Sequence, residues 1–133
     1  MQEKMTDAVW KEEALERFLT FLGLCRRAGK TAHGTPLVCE ALASRRPPSL
    51  VLLSQGASEG TMKKIKNKCD FYRVPLLTVP VTPERLGRAV GKSAEIAAVA
   101  VLDESFAGKL RNLYLSGKAS AENADEGVAV WQK

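Results

Sequence analysis

Three short apolar runs, each preceded by a segment of helical periodicity, constrain this chain more than any other feature. SLVLLS (49–54) is bounded by turn signals, RVPLLTV (73–79) follows a lysine-rich helical stretch, and EIAAVAV (95–101) closes the series. A short apolar run without alternation reads as a strand covered on both faces, because a half-solvated strand alternates polar with apolar positions. Such strands interleaved with helices predict an α/β layered domain, with helices on both faces of a small, largely parallel or mixed sheet.

The helical segments carry their own signals. Leu15, Phe18, Leu19, Leu22 and Cys25 form the stripe of an amphipathic helix over about residues 7–28, and Gly29 ends it, with Arg26 and Arg27 suiting the dipole of the last turn. A second helix starts at Gly34-Thr35-Pro36, with Thr35 as cap, Pro36 in the first position and Leu37, Val38, Ala41 and Leu42 behind it, and Arg45-Arg46-Pro47-Pro48 stops it. QGASEG (55–60) reads as a loop. Met62, Ile65, Cys69 and Tyr72 define a third helix whose other face carries Lys63, Lys64, Lys66 and Lys68. Thr82-Pro83-Glu84 opens a fourth, ending near Val90, and Asp103 caps a fifth with Phe106, Leu110, Leu113 and Tyr114 on one side. Residues 1–118 form one domain, and ASAENADEG opens an acidic, flexible tail over 119–133.

GRAVGKS (87–93) ends like a phosphate-binding loop, but that motif needs four residues between its glycines and the order strand, loop, helix. Gly87 and Gly91 enclose three, and here a helix precedes and a strand follows. The stretch therefore reads as a helix-to-strand connection with Gly91 as its C-cap. A surface loop of this kind can still touch a ligand.

With 133 residues, 45% of them apolar, the chain can build one packed core. It has no apolar run long enough to span a membrane and no secretory leader, which points to the cytoplasm. Cys25, Cys39, Cys69 and the single His33 have neither zinc-site nor disulfide-framework spacing. The net charge of +5 is unevenly placed: residues 1–17 and 119–133 each carry −2, which leaves +9 on residues 18–118. A basic body favours a polyanion, nucleic acid before membrane.

The segments FLGLCRRAGKTAHGTPLV, SLVLLSQGAS, KIKNKCDFYRVPLLTV and LGRAVGKSAEIAAVAVLDESFAGKL, in this order and spacing, resemble the bacterial branch of the L-seven-Ae family of ribosomal proteins over about residues 15–113. The resemblance implies a three-layer α/β/α sandwich with a small mixed four-stranded sheet that binds kinked RNA helices, as a ribosome component or an accessory protein. It places Lys30, Gly34 and Thr35 in the first RNA-facing segment, and Gly91, Lys92, Ser93, Ala94 and Glu95 in the loop that packs against an extruded nucleotide. Arg85 and Arg88, three apart on one helix beside that loop, would join Lys30 in a basic patch meeting RNA phosphate. Lys63, Lys64 and Lys66 read equally well as a solvated face, and Lys68 and Arg73 as stems covering apolar surface.

Characterised RNA binders of that family follow the glycine with a small residue and two polar ones, and place a lysine one helical turn later. Here Pro36 and Leu37 follow Gly34-Thr35, and Glu40 stands where the lysine is expected. A hydrogen bond to a charged group contributes about 1.5–3 kcal/mol, so losing two weakens recognition by orders of magnitude. Two main readings follow: a non-enzymatic RNA-binding protein without cofactor, or a protein-interaction module that kept the fold and lost the RNA. VAVWQK (128–133) would serve the second by pairing along a sheet edge or docking on a neighbour. An enzyme using Cys25 or Cys39 ranks last, since no catalytic cluster accompanies either thiol.

Overall fold

β2 (Leu50–Ser54) is buried at every residue, as its unbroken apolar run requires. The structure, a computed structural model, describes residues 10–126. In chain order the elements are α1 (Glu12–Arg27), β1 (Thr31–His33), α2 (Thr35–Leu42), β2, α3 (Glu59–Tyr72), β3 (Leu76–Val79), α4 (Pro83–Ala89), β4 (Ala98–Val101) and α5 (Glu104–Glu126). The strands form one mixed sheet in the order β1-β4-β2-β3. β2 runs parallel to β3 and antiparallel to β4, and β4 is antiparallel to β1.

Alternate side chains of the central strands feed two cores, one on each face. Leu50, Leu52, Val99 and Val101 meet α1, α4 and α5 through Phe18, Leu22, Leu86 and Leu110. Val51, Leu53, Ala98 and Ala100 meet α2 and α3 through Val38, Leu42, Ile65 and Cys69. The expected three-layer α/β/α sandwich is therefore the fold. Each fully buried Val, Leu, Ile or Phe contributes about 1.5–3 kcal/mol relative to exposure, which is why both stripes were legible as core. Trp10 extends the first core at its far end, edge-on to Phe18 and Tyr114 and seated against Gly117.

Several boundaries differ from the sequence reading. Thr35 is not the cap of α2: Gly34 is, at φ 100°, while Thr35 and Pro36 lie in the first turn. A chain leaving β1 and turning at once into a helix needs that left-handed residue, and glycine takes it without strain. The loop expected over 55–60 is shorter, because Ser58 caps α3 by accepting from the Thr61 N–H at 3.2 Å and brings Glu59 and Gly60 into the helix. Strand β3 starts later than expected because Arg73 and Val74 close α3 instead. At the start of EIAAVAV, the Ile96 N–H donates to the Pro83 carbonyl at 2.9 Å, which ties it to α4 rather than to a strand. Thr82, by contrast, caps α4 as expected, accepting from the Arg85 N–H at 3.1 Å.

β1 is too short for strand periodicity to reveal, so only the family resemblance implied a fourth strand. The first helix begins at Glu12, after Lys11, and the first nine residues of the chain lie outside the described residues. At the other end, the tail expected from residue 119 is helical as far as Glu126. Ala119, Ala121 and Ala124 are strong helix formers. Ser120 ties that turn down, accepting from the Lys11 N–H at 3.2 Å and donating to the Gly117 carbonyl at 2.8 Å. VAVWQK lies outside the described residues.

Candidate nucleic-acid interface

Two helix ends of the same design build the site. At the end of α1, Gly29 (φ 74°) donates its N–H to the Arg26 carbonyl at 2.9 Å, and the Lys30 N–H reaches the Cys25 carbonyl at 3.0 Å. At the end of α4, Gly91 (φ 75°) donates to the Arg88 carbonyl at 3.0 Å, and the Lys92 N–H reaches the Gly87 carbonyl at 2.8 Å. This pair of bonds is a Schellman turn, which satisfies the last carbonyls of a helix and requires a left-handed residue. Each turn places a lysine just past the negative pole of a helix. GRAVGKS is thus the end of α4 and its exit turn.

The two ends meet through Arg26. A β-carbon at position 91 would lie 3.3 Å from both Cζ and Nη1 of Arg26, so the guanidinium lies against the bare backbone of Gly91. His33, half-buried at the end of β1, stands close enough to both cations that its pKa lies below the ordinary value, first through burial, then through Lys92 and Arg26. Directly after it, Gly34 donates its N–H to the Ala98 carbonyl and accepts from Val38, each at 2.9 Å, and so opens α2 beside the entry to β4.

Gly91, Lys92, Ser93, Ala94 and Glu95 are all exposed. Their loop folds back along α4 because Gly87 has no side chain: a β-carbon there would collide with the Ala94 carbonyl. Lys30 closes α1 at the opposite end of β1 from Gly34. Its carbonyl accepts from Leu102 at 2.8 Å, at the far end of β4 from Ala98. Its backbone is separated from that of Gly34 by the length of β1, about 13 Å.

Arg85 and Arg88 line a groove of about 520 Å³ between α4 and α1, with Glu16, Thr20 and Arg27 opposite. Gly23 lets the helices close, since a β-carbon there would stand 3.1 Å from the Ala89 carbonyl. Arg85 is already engaged by Glu12 of α1 in a two-pronged ion pair whose longer arm, Nη1 to Oε1, is 3.4 Å. That hydrogen bonding holds the Glu12 carboxyl below its usual range. Arg88 is exposed.

Sequence reasoning assigned Arg26 to its helix dipole and weighed His33 only beside the cysteines. The signal for His33 was its place directly before Gly34. For Arg26 there was none, since its partner Gly91 belongs to another helix end. Two of the three thiols offer little chemistry: burial pushes Cys25 and Cys69 up to about 11, so both stay protonated at neutral pH. Among the described residues, no group of three or more His, Cys, Asp or Glu could hold a metal ion, and no helix is long and apolar enough to cross a membrane.

A model of the Ribosomal protein L7Ae/L30e/S12e/Gadd45 family matches residues 17–111, from α1 to α5. The chain belongs to this family. Its L7Ae-type core is similar to the RNA-binding protein YlxQ of Bacillus subtilis (strain 168), 44% identical over 92 residues that make up 69% of this chain and 89% of that one. The RNA-binding protein YlxQ of Enterococcus faecium is 28% identical, over 74% of this chain and 91% of that one. Among solved structures, a protein of unknown function from Bacillus halodurans C superposes with a TM-score of 0.66 at 36% identity, covering 72% of this chain and 94% of that one. The Giardia lamblia 15.5kD RNA binding protein shares the fold at 14% identity, with a TM-score of 0.65 over 86% of this chain and 96% of that one.

Proposed function

We propose that this L7Ae-family protein is a cytoplasmic, non-enzymatic RNA-binding protein. Its ligand is a structured RNA of the kinked-helix kind, ribosomal or ribosome-associated. The RNA docks where Gly34 and Thr35 open α2 and where Gly91, Lys92, Ser93, Ala94 and Glu95 lead into β4. The observation that carries this reading is the seating of Arg26 on Gly91 beside Lys92 and His33. Two cations from two helix ends, Arg26 and Lys92, converge next to exposed backbone beside His33, whose pKa is lowered first by burial and then by these two charges, and an entering phosphate would offset the charge part. The RNA-binding names of the relatives at 44% and 28% identity support the same ligand class. Arg88 and Arg27, across the groove between α4 and α1, offer further phosphate contacts. Arg85, paired with Glu12, contributes less.

Binding to a kinked-helix RNA and to an unbulged duplex, at low and at near-physiological salt, tests the reading. Preference for the kinked RNA that survives the higher salt and falls in Lys92→Ala and Arg26→Ala supports it. Equal binding to both that salt erases counts against it.

A second reading, an interaction module for a protein partner, is favoured by Leu37, which stands 48% exposed on the first turn of α2 where the family reads bases. Under that reading Leu37→Lys abolishes partner binding and leaves any RNA affinity unchanged or higher.

A further inference from the structure

Phe71, on α3, is 77% exposed, more than any other large apolar side chain among the described residues. Its ring is steadied edge-to-face by Tyr72, with centroids 4.9 Å apart and planes at 88°, and Tyr72 packs on the second core. The inward stripe of α3 is Met62, Ile65, Cys69 and Tyr72. On a helix of 100° per residue, Phe71 lies about 20° from Lys64 and 60° from Lys68, whereas Asp70 and Glu59 lie about 100° and 120° away. One side of the outer face is thus aromatic and basic, while the other mixes Lys63 and Lys66, about 80° and 140° from Phe71, with the two acids.

The end of α3 adds an independent observation. It closes with the same two bonds as α1 and α4: the Arg73 N–H to the Asp70 carbonyl at 3.2 Å, and the Val74 N–H to the Cys69 carbonyl at 2.9 Å. The left-handed position is glycine in those two helices, but here it is Arg73 at φ 58°, the one non-glycine residue with positive φ among the described residues. Arg73 therefore holds a cation at the end of α3, next to Phe71, at the cost of a left-handed backbone.

We infer that this face, Phe71 with Lys64, Lys68 and Arg73, is a second RNA-contacting surface that stacks a base of single-stranded RNA and meets its flanking phosphates. An aromatic face accepts any base, and cations on either side follow the backbone, which is how unpaired strands are held without sequence preference. Polar and basic neighbours around a single ring suit a base better than an apolar protein patch. The surface is separate from the site proposed above. α3 leads into β3 at Leu76, which pairs with Val51 near the Leu50–Val101 end of the sheet, whereas Gly34 lies at the Ala98 end. The inference rests on RNA as the ligand class, but not on the kinked-helix reading.

The test uses the full chain and two RNAs, decauridine and a bare kinked helix, with circular dichroism confirming that each variant folds. Phe71→Ala and Phe71→Leu should each weaken decauridine binding at least fivefold, and Phe71→Trp should retain it, because stacking needs a ring. Lys64→Gln with Lys68→Gln should lower the affinity and flatten its salt dependence. Affinity for the bare kinked helix should not change in Phe71→Ala. Parental decauridine affinity in Phe71→Ala, or in Phe71→Leu, would overturn the inference. So would a dimer by sedimentation that Phe71→Ala converts to monomer with RNA binding unaltered. Loss of the kinked-helix preference with decauridine binding still dependent on Phe71 would defeat the earlier proposal and sustain this one.

Discussion

Arg26 rests on Gly91, with its guanidinium carbon 3.3 Å from where a β-carbon at position 91 would stand. Two requirements coincide at that glycine: a φ of 75°, which closes α4, and the absence of a side chain, which lets Arg26 lie flat. Gly91→Ala should cost about 1–2 kcal/mol, the penalty of a left-handed non-glycine residue. A lowered urea midpoint with unchanged slope would verify it. RNA affinity should fall further than for Lys30→Ala, whose backbone stands at the other end of β1 from Gly34.

His33 makes binding and stability depend on pH in opposite senses. Its folded-state pKa lies below the ordinary 6.5 because of burial, Lys92 and Arg26. The contribution of neutral His33 to stability is therefore fully present above 6.5 and is lost as pH falls through the lowered folded value. His33→Gln should flatten that part of the stability profile, measured by denaturant titration from pH 7.5 to 5. Bound phosphate favours the protonated ring, so RNA affinity should rise as pH drops over the same range in the parent and less in His33→Gln.

Arg73 carries strain that glycine would release. Arg73→Gly should raise stability by about 0.5–1 kcal/mol, the relief of the left-handed conformation less the greater unfolded-state entropy of glycine. Thermal and urea midpoints should both move up. A decrease would mean that the arginine side chain contributes more in the folded state than its backbone costs.

The cysteines should behave as core residues. Cys25 is fully buried and Cys69 nearly so, with thiols raised to about 11, while Cys39 is half-buried. Iodoacetamide at pH 7.5 should modify Cys39 first and the other two only under denaturing conditions. Mass spectrometry after tryptic digestion reads the order.

Much of the fold was legible because its signals act within one turn or one strand. The stripe from Leu15 to Cys25, the Thr82 cap and the glycines closing α1 and α4 are local, and the structure keeps each of them. β1 escaped because three half-buried residues set no period, and its existence depends on hydrogen bonds to β4, almost 70 positions away. The cap of α2 was misread for a related reason. Thr35 has the chemistry of a cap, but the turn out of β1 demands positive φ one residue earlier, at Gly34.

Periodicity, turn chemistry and charge therefore determined the layers, most helix ends and the basic character of the body. Tertiary structure alone decided the strand order β1-β4-β2-β3, the pairing of Arg85 with Glu12 that takes one predicted cation partly out of play, and the seating of Arg26 on Gly91. Helix periods and caps are governed by neighbours a few residues apart. A long side chain finds its partner only after packing has chosen which helix ends stand side by side.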